Sequence, residues 1–265
     1  MTAADSTTER VLEVPGATLH YSVRGSGSLL LLIPGGAADS MIFAPLVPLL
    51  VDDHTVVTFD PRGIGRSTLT SAPQQVDVST QADDVHRLLQ AVTDEPVAVF
   101  GSSGGAITAL ELASRHPEWI HTLVVHEPPL VELLPDRAEL HLAMDTLAGR
   151  CEVDGPESAM REFLRISGQV ARLDEYTVPA RMLPAVDFFL RYMVSAIVRY
   201  RPEPAALPEL AIGVGTGAGQ LAHRGATALG ELLGVPTTAF PGEHVGFATH
   251  ARPAAVVLRE LLGKR

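Results

Sequence analysis

One cysteine, Cys151, stands in 265 residues, so no internal disulfide can form and no thiolate cluster is on hand to hold a metal. Basic residues are also scarce, with 20 Lys and Arg against 31 Asp and Glu and a formal charge of −11. That balance excludes the clustered cations that nucleic acid or an anionic membrane surface requires. No apolar stretch is long enough to span a bilayer. Met1 to Arg10 is polar, carries Asp5 and Glu9, and lacks the apolar run of a secretory signal. The expectation is a soluble, cytoplasmic protein with a small neutral or apolar ligand and neither a nucleic-acid nor a membrane partner. Internal repeats, low-complexity segments, a G-x-G-x-x-G after a strand and His/Cys/Asp groups at ligand spacing are all missing. No metal or organic cofactor is therefore expected. Cys151 reads as a small packing residue.

What is present is 46% hydrophobic residues, enough for one full core. Short apolar runs alternate with helical patterns, the signature of a mainly parallel sheet covered on both faces. Val11–Val14 and Ala17–Val23, joined at Pro15-Gly16, read as an opening hairpin; Leu29–Ile33, Thr55–Phe59, Val97–Phe100 and Thr122–Val125 read as buried strands. Helices are expected around Asp83–Leu89 and Ile107–Ser114. After Glu127 the alternation stops, and helical segments rich in Met and Phe take over: Leu142, Met144, Met160, Phe163, Met182, Phe188, Phe189, Tyr192 and Met193. This segment, residues 128–204, is expected to form a helical lid on a core made of 1–127 and 205–265. Most of its apolar positions should be lid core, with Phe188, Phe189, Tyr192 and Met193 the candidates for substrate contact. Alternation resumes with a strand at Leu210–Val214, a helix near Leu221–Leu233, a strand at Pro236–Phe240 and a closing helix from Pro253 to Leu262.

The strand Val97-Ala98-Val99-Phe100 runs straight into Gly101-Ser102-Ser103-Gly104-Gly105 and an apolar helix. Centred on Ser103, this is G-x-S-x-G, whose glycines permit the tight strand-to-helix turn that presents a nucleophile. Ser102 lacks that frame, because Phe100 stands where the first glycine belongs. A serine hydroxyl is a poor nucleophile at neutral pH and needs a base, which needs an acid to fix its tautomer. His244, in Pro241-Gly242-Glu243-His244 between the last strand and the last helix, lies on the same sheet edge as Ser103. The rival His250 is expected to open the closing helix. His86, His116, His121 and His223 fall within or beside helical patterns, and His20 and His54 lie near strand starts.

The acid is less direct. The loop after Val214, Gly215 to Gln220, contains no carboxylate. Glu127 in His126-Glu127-Pro128-Pro129 ends the preceding strand at the same sheet edge and is the preferred candidate. A capping or surface glutamate is the competing reading, Asp60 in Asp60-Pro61-Arg62-Gly63 is a rival, and Glu243 is too close to His244 in sequence to orient it easily. Oxyanion donors are expected from the Gly104 N–H and from Pro34-Gly35-Gly36, with Gly36 favoured over Gly35; Gly35 is kept as a substrate-contact candidate.

Together, Pro34-Gly35-Gly36, Asp60-Pro61-Arg62-Gly63-Ile64-Gly65-Arg66-Ser67, Gly101–Gly105 and Pro241–His244 resemble the α/β-hydrolase superfamily across nearly the whole chain. The resemblance implies an eight-stranded, mainly parallel sheet flanked by helices, with the lid inserted after the sixth strand. Ser102-Ser103-Gly104, the His126-Glu127-x-Pro stretch and the missing acid after Val214 are further similar to the zearalenone lactonases. That implies Ser103 as nucleophile, His244 as base, Glu127 as acid and a macrolactone as substrate. Those lactonases carry a lid tryptophan, whereas the single tryptophan here, Trp119, precedes the sixth strand. The same scaffold also serves esterases, thioesterases, N-terminal peptidases and ligand receptors.

Overall fold

The structure is a computed structural model that describes residues 7–169, 176–217 and 219–263. Residues 1–6 of the polar opening segment, residues 170–175 of the expected lid and Ala218 of the carboxylate-free loop lie outside them. Among the described residues one sheet contains β1 (Thr8–Val14), β2 (Ala17–Gly25), β3 (Ser28–Ile33), β4 (His54–Phe59), β5 (Thr68–Leu69), β6 (Val97–Ser102), β7 (Ile120–His126), β8 (Leu210–Val214) and β9 (Thr237–Ala239). Its order is β1-β2-β4-β3-β6-β7-β8-β9, with β5 pairing β2 off that path. β1, β2 and β5 pair antiparallel, and from β4 through β9 all neighbours run parallel. The sequence implied eight strands; the ninth, β5, is two residues long, too short to leave a pattern, and pairs only with Ala17 and Thr18. The helical insertion consequently follows the seventh strand in chain order.

Strand alternation explains why both faces must be covered. In β6, Val97 and Val99 point into the core shared with α1 (Val78–Val92) and α2 (Gly104–Arg115), while Ala98 and Phe100 point into the opposite core. There Phe100 meets Phe43, Phe240 and Phe247 at centroid separations of 6.2, 6.1 and 5.8 Å. Of the histidines, His121 lies in β7 rather than beside a helix, because the strand starts two residues earlier than its apolar run.

Between β7 and β8 the chain forms α3 (Arg137–Asp154), α4 (Pro156–Ser167), α5 (Leu183–Tyr192) and α6 (Val194–Val198). Gly155, at φ +83°, makes the turn between α3 and α4. α7 (Leu221–Leu233), α8 (Gly246–Thr249) and α9 (Ala251–Leu262) complete the layers. No described helix is long and apolar enough to cross a membrane.

Candidate active site

The site lies at the carboxyl edge of the parallel strands, the ordinary ligand edge of an open α/β sheet. Ser103 joins β6 to α2 with φ 55° and ψ −124°, a conformation costly for a residue with a Cβ and concentrated at functional positions. Its environment leaves no slack. A Cβ on Gly101 would lie 2.5 Å from the Gly105 carbonyl oxygen, and one on Gly105 would lie 2.2 Å from that of Ile33. The elbow is anchored by the Ser103 N–H, which donates to the His126 carbonyl at 2.9 Å.

Glu127 follows immediately, also at positive φ (48°), and its side chain is fully buried. Its Oε2 lies 2.6 Å from His244 Nδ1, and its Oε1 accepts the Gly215 N–H at 2.8 Å. Burial pushes the Glu127 carboxyl up, but the His244 hydrogen bond and charge, His126 and the Gly215 N–H together hold it below its ordinary value. It is thus a buried carboxylate kept in its charged form. Gly215 also explains the carboxylate-free loop: a Cβ there would lie 2.7 Å from the Gly242 oxygen and 2.9 Å from that of Glu243, the segment that carries His244. The loop gives backbone to the acid and room to the histidine.

The competing acids stand elsewhere. Asp60 accepts the Ser40 N–H at 3.0 Å, the Arg66 N–H at 2.9 Å and Arg66 Nε at 3.0 Å, and so ties its turn together. Glu243 is exposed. His250 caps α9 and is exposed.

A cavity opens on Ser103, Gly36 and Gly104. Its wall is apolar over most of its extent: Pro129 after β7, Met144 of α3, Phe163 of α4, Phe189 of α5, Val194, Ile197 and Val198 of α6, and Leu221 and Ala222 of α7. Ser167 and Gln169 add polar groups. Gly36 has φ +63° with open space where a Cβ would be, and its nitrogen lies 3.3 Å from the Cβ position of Gly104. The two candidate oxyanion residues are therefore adjacent across the cavity floor.

The structure brings Ser103, Gly36, Gly104 and Phe189 to this cavity and pairs Glu127 with His244, but it takes the other substrate-contact candidates away from it. Phe188, one helical position and so about 100° round the helix from Phe189, lies over Gly63, whose Cβ would come 2.5 Å from its ring. Tyr192 packs against Phe188 at 5.4 Å with the rings tilted, and Arg191 lies over its face. Met193 is a buried link between α5 and α6. Gly35 abuts the elbow, its Cβ position 2.3 Å from the Ser102 oxygen and 2.8 Å from Ser103 Cβ; its role is close backbone approach rather than substrate contact. Trp119 lies against His86 at 5.3 Å, also outside the cavity lining.

Two histidines near the acid were not singled out by sequence. His223 Nδ1 lies 3.1 Å from the Gly215 oxygen and 3.6 Å from Glu127 Oε1. His126 is wholly buried among Phe100, Phe240 and Phe247, and burial depresses it to about 4, so it is neutral at ordinary pH. His126 stands beside Glu127 in the same motif, whereas His223 is brought to the acid by packing between distant segments.

Fold, elbow and buried Glu–His pair define an α/β hydrolase, and the chain belongs to that family. Residues 28–155 match the family model described as alpha/beta hydrolase fold. The chain is 34% identical over 265 residues to an uncharacterized hydrolase, YraK, of Bacillus subtilis (strain 168), covering 96% of this chain and 95% of that one. Among solved structures it is similar to a thermophilic esterase from Thermogutta terrifontis (TM-score 0.75, 18% identity, 97% of this chain and 98% of that one). It is likewise similar to the enol-lactonase from Burkholderia xenovorans LB400 (TM-score 0.72, 18% identity, 96% and 100%). At that identity these two likenesses concern the fold.

Proposed function

We propose that the protein is a cofactor-independent serine hydrolase of carboxylic esters, with lactones, including resorcylic macrolactones of the zearalenone type, as the favoured substrates. The observation that carries the reading is the 2.6 Å contact between the buried Glu127 carboxylate and His244 Nδ1, in a chain whose elbow serine is held at φ 55° on the edge of an apolar cavity. With Nδ1 engaged by the acid, Nε2 is the ring nitrogen that serves Ser103. His244 takes the Ser103 proton as Oγ attacks the substrate carbonyl, and Glu127 stabilises the imidazolium. The Gly36 and Gly104 N–H groups hold the oxyanion. The alcohol leaves with the proton from His244, and water then releases the acyl group by the same steps. In a lactone the alcohol and acid are one molecule, and the product is a ring-opened hydroxy acid.

The cavity supports this substrate class because its wall supplies area for burial rather than fixed charge, as an uncharged ester needs. Turnover of zearalenone and of short-chain 4-nitrophenyl esters, followed by liquid chromatography and mass spectrometry, tests it. A ring-opened product absent with Ser103→Ala is expected. Ester cleavage without zearalenone cleavage would withdraw the macrolactone and keep the esterase, and undiminished ester turnover by Ser103→Ala would remove the mechanism.

A further inference from the structure

The last residue of α4, Ser167, is 2% exposed and lines the cavity that opens on Ser103, yet its hydroxyl has no hydrogen-bond partner among the described residues. Hydroxyls in helices ordinarily satisfy themselves by bonding back one turn, and this chain does so repeatedly. Thr108 bonds the Gly104 oxygen, Thr146 that of Ala143 and Thr227 that of His223, at 3.3, 2.7 and 3.0 Å. Ser167 forgoes this bond. Burying a hydroxyl without a partner is costly, and a mostly apolar wall would accommodate alanine without that cost. An unpartnered buried hydroxyl on a residue that lines a ligand cavity is explained when the ligand supplies the partner.

The site around it is built. The helix stops there because Gly168 takes a left-handed conformation (φ +70°), which turns the chain so that Gln169 also reaches the cavity lining. A Cβ on Gly168 would lie 3.4 Å from Gln220 Cα, so the end of α4 is seated against the segment leading into α7.

We propose that Ser167 is a specificity-determining residue that hydrogen-bonds an oxygen on the acyl part of the substrate, separate from the scissile carbonyl. The favoured substrates are then oxo- or hydroxy-substituted acyl esters and lactones rather than plain alkyl ones. This rests on the hydrolase reading only for where the scissile bond lies; the recognition itself is a binding event and can be read without turnover.

The test compares 4-nitrophenyl esters of plain alkanoates with matched esters carrying one oxo group at successive chain positions. For at least one position the oxo ester is expected to be preferred about tenfold in kcat/KM, the size of one well-placed hydrogen bond. Ser167→Ala should bring that ratio close to one, and Ser167→Thr, which keeps a hydroxyl, should restore most of it. Calorimetric Kd values for the same pairs on Ser103→Ala should show the same preference, lost in Ser103→Ala/Ser167→Ala. No oxo preference at any position, or a preference untouched by Ser167→Ala, overturns the proposal. Failure of the hydrolase reading shows separately, as turnover indifferent to Ser103→Ala, and leaves the Kd comparison to decide the role of Ser167.

Discussion

At the scale of single residues, the account turns on Glu127. Its Oε1 is held by the Gly215 N–H and its Oε2 by His244, so each oxygen has a fixed task. Replacing it by Gln keeps the size but removes the charge that stabilises an imidazolium, and the amide can force the wrong imidazole tautomer. Glu127→Gln should lower kcat on a 4-nitrophenyl ester by roughly three to four powers of ten, with KM far less affected. Steady-state kinetics check this; a loss under tenfold would show that the acid lies elsewhere. Legibility at this scale was uneven. Ser103, His244 and Glu127 stand in short motifs whose neighbours constrain them, so they could be singled out from sequence. Phe188 and Phe189 could not be told apart, because two adjacent aromatics differ only by the rotation of a helix whose packing partners are distant. Ser167 and His223 carry no motif at all.

At the scale of elements, the strand-elbow-helix unit of β6 and α2 is the rigid part of the site. Its glycines are set by contact as well as by turn conformation, since α2 starts against the end of β3. Gly105→Ala would place a methyl group 2.2 Å from the Ile33 carbonyl oxygen, and backbone cannot yield as a side chain would. The variant should lose roughly 1–3 kcal/mol of stability, which for a domain of this size is a fall in Tm of several degrees. Thermal denaturation measures it, and a Tm equal to that of the parent would mean that β3 and α2 part more easily than their spacing implies. The elements of the core were legible because buried parallel strands leave continuous apolar runs bounded by Gly and Pro. The two-residue β5 was not, because it is made by pairing rather than by pattern.

At the scale of the whole molecule, the buried ionisable groups tie stability to pH. His126, held neutral by burial with a value near 4 against 6.5 when free, takes up a proton on unfolding throughout that window. The unfolded chain binds more protons there, so stability falls as pH drops from about 6.5 to about 4, by roughly 3 kcal/mol from this one group. Glu127, held below its free value of 4.5, adds a further loss as pH falls below that free value towards its lower folded one. Chemical denaturation across pH 4 to 7 should show this slope, and His126→Asn, though less stable overall, should flatten it; an equal slope in both proteins would place the acid sensitivity elsewhere.

The central claim is that Ser103 is a nucleophile activated through His244 and Glu127, and covalent capture tests it most directly. The wild-type protein, treated with a fluorophosphonate and digested for mass spectrometry, should carry one phosphonyl adduct on Ser103. The adduct should be absent from Ser103→Ala and form far more slowly in His244→Ala and Glu127→Gln. An adduct on another residue, or labelling of Ser103 at the parent rate in both partner variants, would contradict the account.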